Sequence, residues 1–516
     1  MGEKTNSKNK RLMINLISSI IALAVQMGIS LVLTPILVEK LGNEAYGFIG
    51  LANNFVSYAT IITVALNSMA SRFITIAIHR NEEKKANEYF SSVFLANIIM
   101  SVVILILLIL MIANLNSLLD VPSYLEQDVK ITFILVFINF IITLLSTVFT
   151  VATFVKNRVD LSSIQQTIGN LLKVVAIIIL FWLFQPKIYF ISIAAIVYTL
   201  YVMIANIHLT KKLAPELKID VKNFKGSAVL ELIKSGLWNS LSNLSSILLN
   251  GLDLLIANLF IDSVAMGTLS IAKTIPTAVL TLLGTISRVF LPQFTILYSK
   301  NKINELVGET KFSIKVLSLI MIVPLAGFIV FGQAFFTLWL PSKTPNEIIQ
   351  IQILSVLTLL PNLVSSYIYT LYSINTVTNK LKVPVIVTLV LGVVSVIITY
   401  ILVKTTNLGV YAIAGVSSII LLLKVLIFVP IYAAKNLNVK KRTFYGTLLR
   451  ATITSVIIII ILFAIINMSF KITSWGQLII CAIIAGGIGY IVSFMCLLNR
   501  TEKNKVKEKI LKFRKA

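Results

Sequence analysis

Long apolar runs recur along the whole chain, and they restrict its fold more than any other feature of the sequence. Each run has about 20 residues or more, the length with which an α-helix crosses the hydrocarbon core of a bilayer. Clusters of charged or turn residues separate fourteen such runs. Inside lipid, backbone polar groups must be bonded within the segment, so these runs predict helices. We therefore predict an all-α integral membrane protein with about fourteen transmembrane helices.

The predicted spans are 12–38, 47–78, 90–114, 129–155, 161–184, 187–210, 229–258, 264–298, 311–332, 347–374, 383–403, 408–434, 446–469 and 475–498. Composition agrees with them, since only 13% of the residues are charged, against about 25% in an ordinary soluble domain. The first run follows a basic N-terminus and is too long for a cleaved signal, so we predict that it is retained.

The net charge of +25 could suggest a nucleic-acid partner, but the positions of the basic residues argue against one. With the N-terminus inside, 31 of the 45 Lys and Arg residues fall on the inner side and 6 on the outer side. Cytoplasmic loops collect Lys and Arg in this way. The sequence therefore predicts a cytoplasmic-membrane protein with both termini in the cytoplasm, contacting anionic lipid rather than nucleic acid.

No connection between spans is long enough to fold as a separate domain. We predict a cytoplasmic N-terminus (1–11), an N-lobe of six helices (12–210), an inter-lobe loop (211–228), a C-lobe of six helices (229–434), two further helices (435–498) and a basic cytoplasmic tail (499–516). A weak internal repeat favours the division into two lobes. In this repeat Gly47 corresponds to Gly267, and the segment 67–73 (NSMASRF) corresponds to the segment 284–290 (GTISRVF).

The junction of the first two spans resembles a known family. Residues 35–47 read PILVEKLGNEAYG, and residues 288–292, which end the eighth span, read RVFLP. Both are similar to segments of the polysaccharide transporter family, the O-antigen and capsule repeat-unit flippases. That family belongs to the multidrug/oligosaccharidyl-lipid/polysaccharide exporter superfamily.

The resemblance implies two pseudo-symmetric lobes in a V-shaped bundle that alternates between inward-open and outward-open states. It also implies that the cargo is an oligosaccharide repeat unit on undecaprenyl pyrophosphate, and that polysaccharide polymerases are possible partners. No nucleotide-binding loop is present in the sequence. We expect no cofactor, no metal and no enzymatic activity, with coupling to lipid supply or to an H⁺ or Na⁺ gradient.

Ionisable residues inside spans are costly and by default face a wet cavity or each other. The candidates are Arg72, Lys173, Asp253, Lys273, Arg288 and Lys424. We predict that four of these cations bind the anionic substrate in such a cavity: Arg72, Arg288, Lys173 and Lys273. Arg72 and Arg288 occupy comparable places in the two lobes, and a guanidinium binds phosphate oxygens as a bidentate fork. Related flippases use arginines on these two helices. The alternative is that both arginines snorkel to the cytoplasmic interface.

The other ionisable residues suggest different roles. Lys173 lies too deep to snorkel and predicts a polar interior. Asp253 and Lys273 could pair, as a structural bridge or as a gate sensitive to protons or cations. Lys424 is interpreted as an interfacial anchor. Amides within the spans are interpreted mainly as glue between helices: Gln26, Asn53, Asn54, Asn67, Gln165, Gln166, Asn170, Asn239, Asn243 and Asn250.

Two other functions are compatible with many spans. A multidrug or cation antiporter of the same superfamily would have about twelve spans and acidic residues in its lobes, whereas the charge within these spans is mainly basic. A membrane-embedded polysaccharide polymerase or ligase would need a substantial outer loop or carboxylates placed for acid-base chemistry. The outer connections here are short, which argues against an enzyme.

Overall fold

The structure is a computed structural model that describes residues 2–468, 472–499, 502 and 503, without the side chains of residues 2–13, 16, 288 and 468. Regular structure in the described part is entirely helical. The α-helices are α1 (Gly2–Leu41), α2 (Asn43–His79), α3 (Glu83–Ala113), α4 (Leu115–Leu118), α5 (Glu126–Ser146), α6 (Val151–Val155), α7 (Val159–Leu183), α8 (Tyr189–Leu213), α9 (Gly226–Asn250), α10 (Asp253–Phe260), α11 (Ser263–Ala272), α12 (Thr274–Ser287), α13 (Leu291–Ser299), α14 (Ile303–Trp339), α15 (Pro345–Val377), α16 (Lys382–Thr405), α17 (Val410–Leu423), α18 (Val429–Asn436), α19 (Tyr445–Met468) and α20 (Trp475–Leu497).

Thirteen helices in the described part are long and apolar enough to cross a membrane, and the bent pair α9–α10 supplies a fourteenth. The predicted all-α class and the number of spans are thereby confirmed. Most boundaries agree within a few residues. The largest differences are at α1, which begins at Gly2 where the apolar run begins at residue 12, and at α14, which extends from Ile303 to Trp339 where the apolar run predicts 311–332. Helices continue past the apolar run because backbone bonding does not stop at the bilayer surface.

The seventh predicted span is not one continuous helix. Its axis bends by 44° between α9 and α10, at Gly251. At the bend, the carbonyl of Gly251 accepts hydrogen bonds from Asn54 Nδ2 (3.2 Å) and Tyr58 Oη (2.7 Å) of α2. The bend is therefore compatible with an apolar setting, because the neighbouring helix satisfies this backbone oxygen.

The eighth predicted span is also interrupted. α11 ends at Ala272 and α12 begins at Thr274. In a continuous helix the nitrogen of residue 276 would donate a hydrogen bond to the carbonyl of Ala272, but Pro276 has no N–H. A 3₁₀ turn, Arg288–Phe290, then separates α12 from α13. Apolarity extends across both breaks, so hydropathy alone does not reveal them.

The chain forms two compact units: unit 1 is Met1–Ile271 with Val385–Val410, and unit 2 is Ala272–Pro384 with Tyr411–Ala516. These units group helices by contact, and α9 of the predicted C-lobe belongs to the same unit as α2 of the N-lobe. The lobe boundaries at 210 and 434 stay a prediction.

Unit 1 is organised around α2, which contacts α3, α5 and α9. At one end of α2, the two glycines of the predicted repeat meet. A Cβ atom on Gly47 would lie 2.8 Å from the Cα of Gly267, and a Cβ on Gly267 would lie 2.3 Å from the carbonyl oxygen of Asn43. Only glycine permits this close approach of two backbones. The repeat thus marks a real packing position, where α11 crosses the start of α2.

Unit 2 is organised around α14, which contacts α15, α19 and α20. Its core contains fully buried aromatic side chains, among them Phe336 and Tyr367. Gly489 of α20 packs against Val323 of α14, as expected for a close-packing glycine.

A buried ion pair joins α14 to the chain just after α20. Lys315 Nζ lies 2.8 Å from both carboxylate oxygens of Glu502, and its side chain is only 8% exposed. Partial burial acts to raise the pKa of Glu502, but the hydrogen bonds from Lys315 and from the backbone N–H of Asn499 outweigh it and lower that pKa. Glu502 is therefore ionised at neutral pH. The predicted amphipathic tail beyond residue 503 lies outside the described residues.

Candidate functional site

A row of polar side chains follows one face of α2 through the length of its span. Asn53, Ser57, Ser68 and Arg72 are exposed, and Thr60 between them is half-buried. Their spacing of three, four or eight residues keeps them within about a third of the helix circumference. An exposed polar row on a membrane helix requires water or polar groups beside it.

A second polar row runs along α9. Ser235, Ser242, Ser246 and Asn250 are exposed and Asn239 is half-buried, at successive steps of four, three, four and four residues. This spacing places all five on one narrow face of the helix. Three of the ten amides in the sequence prediction, Asn53, Asn239 and Asn250, belong to these two rows. The serines were not predicted, although their helical periodicity is visible in the sequence.

The two rows lie on the same side of one helix-helix contact, which we call the α2–α9 seam. Asn239 Nδ2 donates to Ser68 Oγ and Asn243 Nδ2 donates to Thr60 Oγ1, each at 3.0 Å. Ser240 Oγ donates to the carbonyl of Ile61 at 2.9 Å. These bonds confirm the interpretation of Asn239 and Asn243 as glue between helices.

Backbone contact holds the α2–α9 seam at short range. A Cβ atom on Gly236 would lie 1.9 Å from the carbonyl oxygen of Ala65, so no side chain fits there. Small residues permit such close packing of membrane helices. The seam therefore presents the two polar rows side by side as one surface, which we call the polar face of unit 1.

The polar face differs from the lipid-facing surface of the same unit. On α3, Ile99, Ile106, Ile109 and Leu110 are each more than half exposed. Such side chains need no partner in hydrocarbon, whereas a hydroxyl or amide there costs free energy. We infer that the polar face borders a water-filled space.

Arg72 contributes the positive charge of the polar face. It follows Ser68 by one helical turn, on the edge of α2 that faces α9, and its side chain is exposed. Among the described residues it makes no hydrogen bond or ion pair. A guanidinium in this position can bind a phosphate oxygen pair as a fork.

Unit 2 has a comparable row that begins just before α12 and continues along it. Thr277 and Thr281 are exposed, and Lys273 and Thr285 are half-buried, at steps of four residues. Arg288 follows at the start of the 3₁₀ turn, and its side chain lies outside the described residues. The row thus begins and ends near a basic residue, but the binding role of Arg288 and Lys273 stays a prediction.

The remaining predicted residues are placed as follows. Lys173 is half-buried on α7, one turn beyond Gly169, whose missing side chain makes room for the ring of Tyr198 on α8. Lys173 makes no ion pair or hydrogen bond among the described residues. Asp253 is buried at the start of α10 in unit 1. Its predicted pairing with Lys273 stays a prediction.

An apolar cavity of about 310 Å³ lies in unit 2 between α14, α19 and α20. Pro324, Phe328 and Phe331 line it from α14, with Leu462 of α19 and Gly486 of α20. A Cβ on Gly486 would meet no atom within 4 Å, so this glycine contributes open space. The sequence did not predict the cavity, because empty volume depends on which side chains meet across helices.

Comparison with known proteins places these features in context. The family model described as "Polysaccharide biosynthesis protein" matches residues 12–298. The "Uncharacterized membrane protein EpsK" of Bacillus subtilis (strain 168) is 30% identical over 504 residues, covering 97% of this chain and 98% of the relative.

Two solved structures share the fold. The lipid II flippase MurJ in an inward closed conformation aligns with a TM-score of 0.66 and 14% identity, covering 93% of this chain and 98% of that one. An inward-facing multidrug resistance MATE family transporter of the MOP superfamily aligns with a TM-score of 0.63 and 15% identity, covering 83% and 98%. At these identities the likeness establishes the fold, which is that of MATE and MurJ transporters.

Proposed function

Because this chain belongs to the polysaccharide biosynthesis protein family and has a MATE- and MurJ-like fold, we propose that it is a lipid-linked oligosaccharide flippase. The proposed cargo is an oligosaccharide repeat unit on undecaprenyl pyrophosphate, destined for capsule or O-antigen polysaccharide. The protein would move it across the bacterial cytoplasmic membrane by alternating access. Both termini would lie in the cytoplasm, as the distribution of Lys and Arg predicts.

The observation that carries this proposal is the polar face of unit 1. A sugar headgroup loses its hydration when it enters a bilayer, and hydroxyl and amide side chains can replace the lost hydrogen bonds. The five polar positions on α9 extend over sixteen residues, 235–250, or about 24 Å of helix. That length approaches the thickness of the hydrocarbon core, about 30 Å. The row therefore offers bonding groups along most of the path.

The charge of the polar face supports an anionic cargo. Its ten row positions include Arg72 and no carboxylate. A diphosphate bridge between lipid and sugar is anionic and suits a guanidinium. Coupling to a proton or sodium gradient is proposed without an assigned site.

The apolar cavity of unit 2 supports a lipid-linked cargo in a separate way. Its walls are aliphatic and aromatic, so hydrocarbon can enter without leaving polar groups unsatisfied. A volume of about 310 Å³ suits a short part of a polyprenyl chain and not a hydrated sugar.

A multidrug or cation antiporter is the second candidate, because the MATE transporter shares the fold over 83% of this chain. A cationic substrate would need carboxylates along its path. The polar face of unit 1 has none, which favours the flippase.

The experiment compares two cargoes in proteoliposomes. We expect transfer of fluorescent undecaprenyl-pyrophosphate-linked oligosaccharide between leaflets, and no transport of ethidium. Arg72→Ala should slow the transfer about tenfold or more, the effect of losing one charged hydrogen bond. Arg80→Ala is the matched control, since Arg80 is exposed just beyond the end of α2 and should be neutral.

The outcomes separate the candidates. Ethidium transport without lipid transfer would establish the antiporter and refute the flippase. Lipid transfer that is equally fast in the Arg72 variant and in the Arg80 control would remove Arg72 from the binding site.

A further inference from the structure

A lysine in unit 2 lies far from either end of its span. Lys424 is in the membrane-spanning segment Val410–Asn436, twelve residues before its end. At about 1.5 Å per residue that distance is roughly 18 Å, more than a lysine side chain can snorkel. The side chain is half-buried, and among the described residues it makes no ion pair. A lysine that only anchors the helix at the membrane interface would be expected closer to the end of its span.

The backbone at Lys424 departs from an ordinary α-helix. Residues Lys424–Phe428 form a π-helical segment between α17 and α18. A widened turn of this kind has poorer hydrogen-bond geometry than the α-helix and recurs at functional sites. It also changes the direction in which the following side chains leave the helix. The departure begins at Lys424, the one Lys, Arg, Asp or Glu in the middle of this described span.

Two tyrosines of α15 lie beside the lysine. Lys424 Nζ is 5.8 Å from the ring centroid of Tyr372, and the rings of Tyr372 and Tyr369 are in edge contact at 5.6 Å. On α12, a Cβ added to Gly284 would lie 3.7 Å from the hydroxyl of Tyr369. Exposed Thr281 precedes Gly284 by three residues. The ammonium of Lys424 and the two phenol rings of α15 therefore lie close together beside α12 in unit 2.

We propose that Lys424, Tyr372 and Tyr369 form a binding site for an acidic sugar of the translocated oligosaccharide. The proposal rests on the proposed function and adds a chemical class to its cargo. An ammonium within a span is costly unless it faces a wet cavity or an opposite charge, and Lys424 makes no ion pair among the described residues. Aromatic rings and hydroxyls suit the faces and edges of a sugar ring. One compact positive charge matches one carboxylate, whereas a diphosphate is better matched by the planar fork of an arginine.

The test measures binding to the full-length protein in nanodiscs with two defined probes. One is undecaprenyl pyrophosphate carrying a disaccharide that contains glucuronic acid, and the other carries glucose in its place. We expect the wild type to bind the acidic probe about tenfold more tightly, the effect of one charged hydrogen bond. Lys424→Met should abolish that preference and leave the affinity for the neutral probe unchanged.

Two further variants guard against misfolding and nonspecific charge effects. Lys424→Arg keeps the positive charge and should keep the preference for the acidic probe. Lys404→Met is the matched control, because Lys404 Nζ also lies over an aromatic ring, 5.4 Å from that of Phe260, but in the last turn of α16. This control should retain the preference.

Each contrary result has a distinct meaning. Equal binding of both probes by the wild type would overturn the acidic-sugar site and leave the flippase intact. An equal loss for both probes in Lys424→Met would place the shared diphosphate at Lys424 and likewise overturn the proposal. Failure of the wild type to bind either lipid would overturn this site and the proposed function together.

Discussion

The α2–α9 seam of unit 1 and the α14–α19–α20 cluster of unit 2 are both contacts between transmembrane helices, but opposite chemistry holds them. The seam is closed by amide and hydroxyl hydrogen bonds and by a glycine against a carbonyl. The cluster is rich in aromatic rings: Phe328, Phe335, Phe336 and Trp339 of α14 lie at centroid distances of 5.3–5.9 Å from one another along that helix. Across to α20, the ring of Phe335 contacts that of Trp475 at 5.8 Å. It also surrounds an apolar cavity and ends near one buried ion pair.

For the proposed lipid-linked cargo, the difference would provide one surface that suits a sugar headgroup and another that suits hydrocarbon. Water can compete for the polar groups of the seam without leaving them unsatisfied, so a polar seam is compatible with a wet surface beside it. The walls of the cavity in the unit 2 cluster are almost wholly apolar and therefore favour hydrocarbon over water. Three substitutions test whether these two modes of packing are as distinct as they appear.

Gly236→Ala should have the largest effect, because it attacks the closest backbone contact of the α2–α9 seam. The new Cβ would lie 1.9 Å from the carbonyl oxygen of Ala65, so α9 must move away from α2. We expect a loss of about 3 kcal/mol or more in unfolding free energy, the upper range for overpacking. Thermal unfolding of the wild type and the variant in detergent measures this loss of stability.

The control for that substitution is Gly226→Ala in the same helix. A Cβ on Gly226 meets no atom within 4 Å, so stability should not fall. Equal stability of the two variants would mean that the seam is loosely packed, and the contrast with the unit 2 cluster would lose its basis.

Lys315→Met should have the next largest effect, because it leaves Glu502 without its cation. Removing one partner of a buried pair costs about 3 kcal/mol. The double variant Lys315→Met with Glu502→Leu should recover most of that loss, since two apolar side chains suit the neighbouring cluster. The unfolding free energies of the single and double variants, compared with that of the wild type, test this expectation. A neutral single variant would show that water already screens the pair.

Asn239→Ala should have the smallest effect. It removes one hydrogen bond to Ser68 Oγ, and such bonds between membrane helices contribute about 0.6 kcal/mol on average. Ser246→Ala serves as the comparison, because the Ser246 hydroxyl bonds only within α9, to the carbonyl of Ser242. A loss of several kcal/mol in Asn239→Ala alone would show that the seam is dry, which would argue against the water-filled border of the polar face.

The sequence predicted the spans well because their signal is local. A run of about 20 apolar residues has few alternatives to a membrane helix. The sequence did not predict the helix breaks at Gly251 and at Lys273, where apolarity continues but the helix does not. Both breaks depend on how backbone groups are bonded, which hydropathy does not report.

The candidate site was predicted only in part. Arg72 stood out because a charged residue within a span is costly. The serines of α9 carry no such cost individually, so only their common face reveals them. The sequence does not reveal the tyrosine neighbours of Lys424, because they come from a helix about fifty residues earlier in the chain.

By itself, the sequence determined the helical class, the number of spans and the predominance of basic charge within them, since each follows from the local balance between burial and hydration. Tertiary structure alone decided that α2 pairs with α9, that Lys315 meets Glu502, and that a cavity remains between α14, α19 and α20. Apolarity makes each run a membrane helix but does not identify its neighbours. Which helices become neighbours therefore depends on the fit of small residues and hydrogen-bonding groups across distances that no local pattern encodes.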